Sequence, residues 1–189
     1  DAQSEPILAS FLYNTILNHS SLESALSYHL AGKLEDQNLQ PTSLMELFLK
    51  IFEADPTVSE AMRNDIRAVK ERDPACRGYC VPLLYFKGFH ALQSYRMAHW
   101  LWNEGRQPLA LILQSRISEV FAVDIHPGAQ MGHGILMDHA TSIVIGETAV
   151  VGNNVSILHG VTLGGTGKES GDRHPKIADG VLIGAGTKL

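Results

Sequence analysis

The first part of the chain has apolar residues at helical spacing. Three capping-box patterns, each a Ser or Thr followed three residues later by Glu, lead into apolar residues on one helical face. These patterns are Ser20 to Glu23, Ser43 to Glu46 and Thr57 to Glu60. Further helices are predicted from about Leu83 to Asn103 and from Leu109 to about Val120, separated by Gly105 and Pro108. The pattern therefore predicts an all-helical domain over residues 1–122.

After Val123 the helical period gives way to a period of six. Ile, Leu, Val or Met recurs at Ile125, Met131, Met137, Ile145, Val151, Ile157, Leu163, Ile177, Ile183 and Leu189. Such a hexapeptide repeat is typical of a parallel β-helix. Each hexapeptide forms one short strand and a turn, so three complete a triangular coil with the aliphatic side chains inside. The predicted fold class is thus α+β, with the helical domain followed by a β-helix over residues 123–189.

The hexapeptide period is interrupted twice. The step from Met137 to Ile145 is eight residues, so two extra residues should bulge from the coil near residues 141–144. A later step of fourteen residues means that Gly164 to Lys176 should leave the β-helix as a projecting loop. Loops that project from rigid scaffolds often carry function, and this one contains Arg173 and His174.

Two histidines are expected on neighbouring coils. His139 and His159 each follow an inward aliphatic residue by two positions, which places them on one face about 5 Å apart at the backbone. Imidazoles this close disfavour each other's protonation, which favours a neutral ring able to accept a proton. Asp124 and Asp138 add carboxylates within about one coil, and a His oriented by an Asp is a common general base. Alternatively, both histidines bond to backbone at coil corners.

Other polar residues allow more than one interpretation. Arg173 could hold a carboxylate through two hydrogen bonds, although a solvated loop Arg is equally consistent with the sequence. The glycine-rich run at residues 164–167 resembles a phosphate cradle only loosely. His90 and His99 lie in an amphipathic helical stretch, where core or interface histidines are expected rather than ligands.

Composition narrows the class of protein. The 189 residues are 44% hydrophobic and 19% charged, as in soluble proteins with a core, and no run approaches the ~20 apolar residues of a membrane helix. The acidic, polar start does not predict a secretory signal. A net charge of -5 argues against a nucleic-acid binder. Cys76 and Cys80 match neither a redox pair nor a zinc site, so we predict free thiols in a reducing cytoplasm.

Several segments match motifs of one enzyme family. They are ERDPAC at Glu71–Cys76, LLYFKGFHALQSYRMAHWLWNEGR at Leu83–Arg106 and the hexapeptide region from Asp124 to Gly186. The most specific parts are DHATSIVIGETAV and GGTGK…GDRHPKI. In these motifs the chain resembles the serine O-acetyltransferases, which belong to the hexapeptide-repeat acyltransferases.

The resemblance implies a reaction and partners. The acetyl group of acetyl-CoA would pass directly to the hydroxyl of L-serine, giving O-acetylserine and CoA in the first step of L-cysteine biosynthesis, with L-cysteine as feedback inhibitor. The β-helix would be left-handed and incomplete here, because the family has further coils and a C-terminal tail. The protein would be a cytoplasmic homo-oligomer, a trimer or a dimer of trimers, with active sites between neighbours. O-acetylserine sulfhydrylase would bind through the absent tail.

The resemblance also implies roles for individual residues. His139 resembles the general base and Asp124 its orienting carboxylate, and His174 has both a catalytic and a binding role. The residues matched to amino-acid contacts are Asp73, Asp138, Arg173 and His174. Arg173 would bind the α-carboxylate, while Asp73 and Asp138 would bind the α-ammonium. The residues matched to acetyl-CoA contacts are Gly165, Thr166, Gly184 and Ala185.

Two other functions remain open from the residues alone. A hexapeptide acyltransferase for a different hydroxyl or amine acceptor would not need Asp73 or Arg173. A β-helical zinc hydrolase of the carbonic anhydrase type would need three histidines, two of them close in sequence. The histidines of the repeat region are separated by 7, 6, 20 and 15 residues. The zinc hydrolases of this type have two histidines five residues apart, and no such pair occurs in this region. We therefore predict no metal.

Overall fold

A computed structural model describes residues 5–168 and 170–189, and its contacts group the chain into Asp1–Pro56 and Thr57–Leu189. The first unit is helical. Its elements are a 3₁₀ turn (Pro6–Leu8), α1 (Ala9–Leu12), a π-helical turn (Tyr13–Leu17), α2 (Leu22–Leu34) and α3 (Pro41–Ala54). Helices α2 and α3 pack on each other, and their fully buried side chains include Leu26, Leu30, Phe48 and Ile51.

The predicted helices form, but their first residues differ from the predicted ones. Helix α2 is capped by Ser21, whose hydroxyl accepts the Ser24 N–H at 3.1 Å, one residue after the predicted cap. Helix α3 and the following helix begin at Pro41 and Pro56, so the predicted caps at Ser43 and Thr57 lie within the first turn. Proline suits the first helical position because its φ is preset and its missing N–H would be unpaired there anyway.

Four helices follow α3, and the second unit begins at the second residue of the first of them. They are α4 (Pro56–Arg72), α5 (Cys80–Tyr85), α6 (Lys87–Asn103) and α7 (Gln107–Phe121). The single helix predicted from Leu83 to Asn103 is therefore wrong, because the backbone is extended at Phe86, with φ −93° and ψ 106°. Phe86 packs against the buried cluster of Val69, Cys76 and Leu136. No helix in the described ranges is long and apolar enough to cross a membrane.

Nine short strands in the described residues form a three-sided parallel coil. They are β1 (Val123–Ile125), β2 (Gln130–Met131), β3 (Leu136–Asp138), β4 (Ile143–Ile145), β5 (Val150–Val151), β6 (Ser156–Leu158), β7 (Thr162–Leu163), β8 (Lys176–Ile177) and β9 (Leu182–Ile183). The three sheets are β1-β4-β7, β2-β5-β8 and β3-β6-β9.

The strand register confirms the six-residue period. Ile125 pairs with Ile145, and Met137 pairs with Ile157, so the aliphatic side chains stack in columns. Leu189 differs from the other aliphatic positions of the repeat, because it is 52% exposed. Helix α7 ends and β1 begins on either side of Ala122, which has a left-handed backbone. Whether residues 1–122 act as one domain stays a prediction, since the contacts divide the chain at Pro56.

Both interruptions of the period are present. The first lies at residues 139–142 rather than 141–144, because β4 already begins at Ile143. Its extra length is absorbed by left-handed backbone at His139, Ala140 and Ser142, with φ of 56°, 61° and 63°. This conformation costs roughly 1–2 kcal/mol per non-glycine residue. The second is the loop between β7 and β8, as predicted; its Glu169 lies outside the described residues.

Candidate functional site

A cleft of about 540 Å³ lies where the ends of α4, α5 and α6 meet β3. It brings together three of the predicted site residues, Asp73, Asp138 and His139. Helix α6 approaches the strand closely because Gly88 has no side chain. A Cβ at Gly88 would lie 2.2 Å from the backbone oxygen of Met137. Packing of the helices on the first coil therefore builds the cleft.

Asp73 is held at the end of α4 by backbone and side-chain contacts. Its Oδ1 accepts the Ala75 N–H at 2.8 Å, and within the described part of the chain no hydrogen bond reaches its second carboxylate oxygen. The preceding residue, Arg72, donates to the backbone oxygen of Asn154 at 3.1 Å and to Ser156 Oγ at 3.2 Å. These bonds fasten the C-terminal end of α4 to the coil, so Asp73 has a defined position in the cleft.

A buried carboxylate links both sides of this cleft. Asp65 is completely buried, and its Oδ2 accepts from Arg96 Nε at 2.9 Å and from Gln93 Nε2 at 2.8 Å. Its Oδ1 accepts the Ile135 N–H at 2.9 Å. Asp65 lies about two helical turns before Asp73, and Ile135 lies three residues before Asp138. One side chain thus ties together the two segments that carry these carboxylates.

His139 lies at the corner between β3 and β4 and is accessible. Its side chain is 73% exposed, with Nε2 3.7 Å from Asp138 Oδ2. Its ring is 5.7 Å from that of His159, at an interplanar angle of 72°. The predicted stacking on neighbouring coils is confirmed. An accessible imidazole beside a carboxylate can take a proton from a hydroxyl held in the cleft.

A second polar cluster lies at the next corner, between β4 and β5, where the projecting loop returns. His174 Nδ1 lies 2.8 Å from Thr148 Oγ1 and 3.2 Å from the Thr148 backbone nitrogen. Arg173 forms an ion pair with Glu147 at 3.7 Å. Lys176 donates to both the backbone oxygen of Thr148 and the carboxylate of Asp172. The residues after Gly146 therefore hold the end of the loop.

Burial and charge set the protonation preferences in this cluster. Burial and the neighbouring Arg173 guanidinium lower the pKa of His174, while Glu147 acts in the opposite direction. Burial also lowers the pKa of His126, against the effect of the carboxylates of Glu147 and Asp124. The corner therefore favours neutral imidazoles beside one guanidinium.

Asp124 belongs to this second cluster within a single chain. It accepts from Gln114 Nε2 at 2.7 Å, and its charge acts on His126. In residues 5–168 and 170–189, no hydrogen bond or ion pair joins Asp124 to His139. The structure thus assembles Asp73, Asp138 and His139 in one place, and Asp124 with residues 173 and 174 in another.

The residues matched to acetyl-CoA contacts divide between the same two corners. A Cβ at Gly165 would lie 3.1 Å from Arg173 Cγ, which places Gly165 and Thr166 at the loop corner. The Gly186 N–H donates to the His159 oxygen at 2.9 Å, so Gly184 and Ala185 lie on the coil that follows His159. The described residues contain no group of three or more His, Cys, Asp or Glu side chains able to hold a metal.

Sequence reasoning missed several polar residues around these sites. Lys87 lines the cleft, and its Nζ lies 2.5 Å from Thr141 Oγ1. Thr148 and Glu147 contact the loop, and Asp65 supports the cleft from within the core. The hexapeptide count could have found Thr148, because a coil that includes the loop spans 26 residues and so places Thr148 beside His174.

Comparison with known proteins identifies the family. Residues 1–94 match the family "Serine acetyltransferase, N-terminal". Serine acetyltransferase 5 of Arabidopsis thaliana is 60% identical over the whole chain, which covers 61% of that relative. Serine acetyltransferase of Haemophilus influenzae is 57% identical over 188 residues, and the chain covers 70% of it.

Solved structures agree with these relatives. Soybean serine acetyltransferase complexed with serine is 63% identical with a TM-score of 0.97, over 100% of this chain and 77% of that one. The Neisseria gonorrhoeae enzyme in complex with serine is 55% identical with a TM-score of 0.96, over 99% of this chain and 77% of that one. The chain spans 57–61% of the length of three Arabidopsis relatives. On this fold and these identities, the chain belongs to the serine acetyltransferase family.

Proposed function

We propose that the protein transfers the acetyl group of acetyl-CoA to the hydroxyl of L-serine, giving O-acetylserine and CoA. The observation that carries this proposal is the cleft that combines Asp73, Asp138 and His139. Two relatives of the same fold are described in complex with serine. Two carboxylates suit the α-ammonium of an amino acid, and the accessible imidazole suits its hydroxyl. The pathway to L-cysteine and feedback inhibition by cysteine belong to the same proposal.

The chemistry would be direct transfer without an acyl-enzyme. His139 takes the hydroxyl proton as the serine oxygen attacks the thioester carbonyl, and the proton then passes to the departing CoA sulfur. Acetyl-CoA is a co-substrate here, and no metal is needed for these steps. Cys76 is buried and does not line the cleft, and Cys80 is exposed outside it. Neither thiol has a role in the transfer.

The division of site residues between two corners supports a homo-oligomer. A three-sided coil has flat faces that can pack around a threefold axis. In such a trimer the loop corner of one chain could complete the cleft of its neighbour, which would bring Arg173 and His174 to the amino acid. We further propose a left-handed coil, a trimer or dimer of trimers, and binding of O-acetylserine sulfhydrylase through a C-terminal tail. Light scattering that shows a monomer at micromolar concentration would contradict the oligomer.

The activity is tested by measuring CoA release from acetyl-CoA with serine, threonine and glucosamine as acceptors, using the full-length protein. Serine should be strongly preferred. Faster release with glucosamine would instead support a hexapeptide acyltransferase for another acceptor. The known relatives do not favour that alternative or the zinc hydrolase, because they are serine acetyltransferases.

A further inference from the structure

We propose that Thr148 is a positioning residue that keeps the proton of His174 on Nε2, so that His174 offers the bound amino acid or acetyl group a hydrogen-bond donor. This inference rests on the proposed function, and it separates the roles of the two histidines. His139 exchanges a proton, whereas His174 donates a fixed hydrogen bond. Thr148 acts through His174 and is not itself a catalytic residue.

The tautomer follows from a backbone amide. The Thr148 N–H can only donate, and it points to His174 Nδ1 at 3.2 Å. A ring nitrogen that accepts a hydrogen bond carries no proton. The neutral imidazole of His174 must therefore have its proton on Nε2.

The Thr148 hydroxyl reinforces this arrangement. Its oxygen accepts the backbone N–H of Arg173 at 3.1 Å and that of His174 at 3.2 Å. Both lone pairs are then used, which leaves the O–H to donate: His174 Nδ1 lies 2.8 Å from the hydroxyl oxygen, and the Asp172 carboxylate also interacts with this hydroxyl. Because Nδ1 has no proton, the hydroxyl must be the donor in this contact. One threonine thus fixes the backbone of both loop residues and the tautomer of the imidazole.

Two neighbouring residues complete the support. A Cβ at Gly146 would lie 2.0 Å from His174 Nε2, so only glycine leaves room for the ring in this position. Glu147 holds the Arg173 guanidinium in an ion pair. Residues 146–148 thereby prepare a neutral N–H donor and a guanidinium side by side. That pair suits an anionic or carbonyl oxygen of a substrate.

The electrostatic environment agrees with a neutral donor. Burial and the charge of Arg173 lower the pKa of His174. Protonation of Nδ1 would also place a proton against the Thr148 N–H, because that amide cannot accept it. His174 is consequently unsuited to take the serine proton, although the resemblance of the sequence to the family implied a catalytic role for it.

Nitrogen-15 NMR of the histidine-labelled full-length protein tests the proposal directly. His174 is assigned from the signals lost in His174→Gln. The unmodified protein should show His174 with an unprotonated Nδ1 and a protonated Nε2. A proton on Nδ1 would overturn the proposal, and this result needs no Thr148 variant that has to fold.

Variants of Thr148 provide the second test. Thr148→Val removes the hydroxyl but keeps the backbone N–H, so the Nε2–H tautomer should stay the major form while the Nδ1–H population grows, the pKa of His174 rises and the serine KM increases about tenfold with a smaller change in kcat. Thr148→Ser should behave like the unmodified protein, since it keeps the hydroxyl. Thr162→Val is the matched control, because Thr162 is a partly buried coil threonine bonded to Lys188. An unchanged spectrum and KM in Thr148→Val would overturn the positioning role.

The two hypotheses fail in different ways. If the unmodified protein shows the Nε2–H tautomer but releases no CoA with serine, the proposed function is wrong, and with it the substrate role of His174. If serine-dependent release is normal while His174 carries its proton on Nδ1, only the inference about Thr148 is wrong.

Discussion

The two histidine-bearing corners of the coil hold their imidazoles in opposite ways. At the corner after β3, His139 is exposed, its backbone is left-handed and its nearest carboxylate is 3.7 Å away. At the corner after β4, His174 is partly buried, and its Nδ1 accepts from both donors of Thr148. An exposed, weakly bonded imidazole can exchange a proton with a substrate. An imidazole whose Nδ1 already accepts hydrogen bonds can only donate from Nε2 and so position the substrate. The strained backbone at His139 is consistent with a functional constraint on that corner.

The largest expected effect is on turnover when the accessible imidazole is removed. His139→Ala in the full-length protein should lower kcat by roughly 10²–10⁴-fold with little change in substrate binding, because a general base acts in the transition state. Steady-state kinetics with serine and acetyl-CoA measure this. His159→Ala should cost much less, since His159 is only the neighbour. Near-normal kcat in His139→Ala, with a large loss of kcat in His174→Ala, would mean that His174 and not His139 exchanges the proton.

The next largest effect concerns the core beneath the first corner. Asp65→Asn should destabilise the fold by roughly 3–5 kcal/mol, because it leaves the buried Arg96 charge without its partner. Urea unfolding followed by circular dichroism measures the change.

The matched control for Asp65 is an exposed ion pair on a helix. Glu119→Gln breaks the ion pair between Arg116 and Glu119, whose Glu119 side chain is 71% exposed. It should lower the free energy of unfolding by less than about 0.5 kcal/mol. Similar losses for both variants would mean that the buried network does not support the cleft.

A moderate effect is expected on recognition of the amino acid. Asp73→Asn and Arg173→Ala should each raise the serine KM about 10- to 100-fold and weaken cysteine inhibition in parallel, because each removes a charge-assisted hydrogen bond. The acetyl-CoA KM should stay nearly constant. Asp172→Asn is the control from the same loop, since Asp172 is exposed and pairs with Lys176. Weaker serine binding with undiminished cysteine inhibition would show that the two ligands do not share this site.

The smallest effect is the pH dependence of stability. Burial lowers the pKa of His99, His126 and His174 below the ordinary 6.5. The unfolded chain therefore binds more protons near that pH, so the free energy of unfolding should fall as the pH drops below about 6.5. Urea midpoints at pH 7.5 and 5.5 test this.

A variant of His99 tests the source of this pH dependence. His99 Nδ1 donates to the Pro127 oxygen at 2.7 Å, and an asparagine amide could replace that bond without titrating. His99→Asn should therefore reduce the loss of stability between the two pH values. A urea midpoint that rises on acidification would contradict the lowered pKa values of these histidines.

Local patterns were sufficient for much of this molecule. Nine of the ten aliphatic positions, all except the exposed Leu189, predicted the strands, their stacking and the loop between β7 and β8, because a parallel coil repeats one side-chain environment per hexapeptide. The same counting placed His139 next to His159. Helix starts were less accurate, since proline at Pro41 and Pro56 competed with the capping residues that follow. The break at Phe86 was not predicted because it depends on packing against Leu136.

What only the tertiary structure decided is how distant segments meet at each corner. Asp65 meets Ile135 across 70 residues, Arg72 meets Asn154 across 82, and Thr148 meets His174 across 26. The separations of 70 and 82 follow from no helical or hexapeptide period, whereas 26 residues is one coil that includes the projecting loop, as in the pairing of Val150 with Lys176. They arise because helix α4 packs on the first coil and because the projecting loop returns over the corner at Gly146. The sequence alone determined the repeat and the chemical groups available, whereas packing decided which groups share a cleft and which imidazole is left free to exchange a proton.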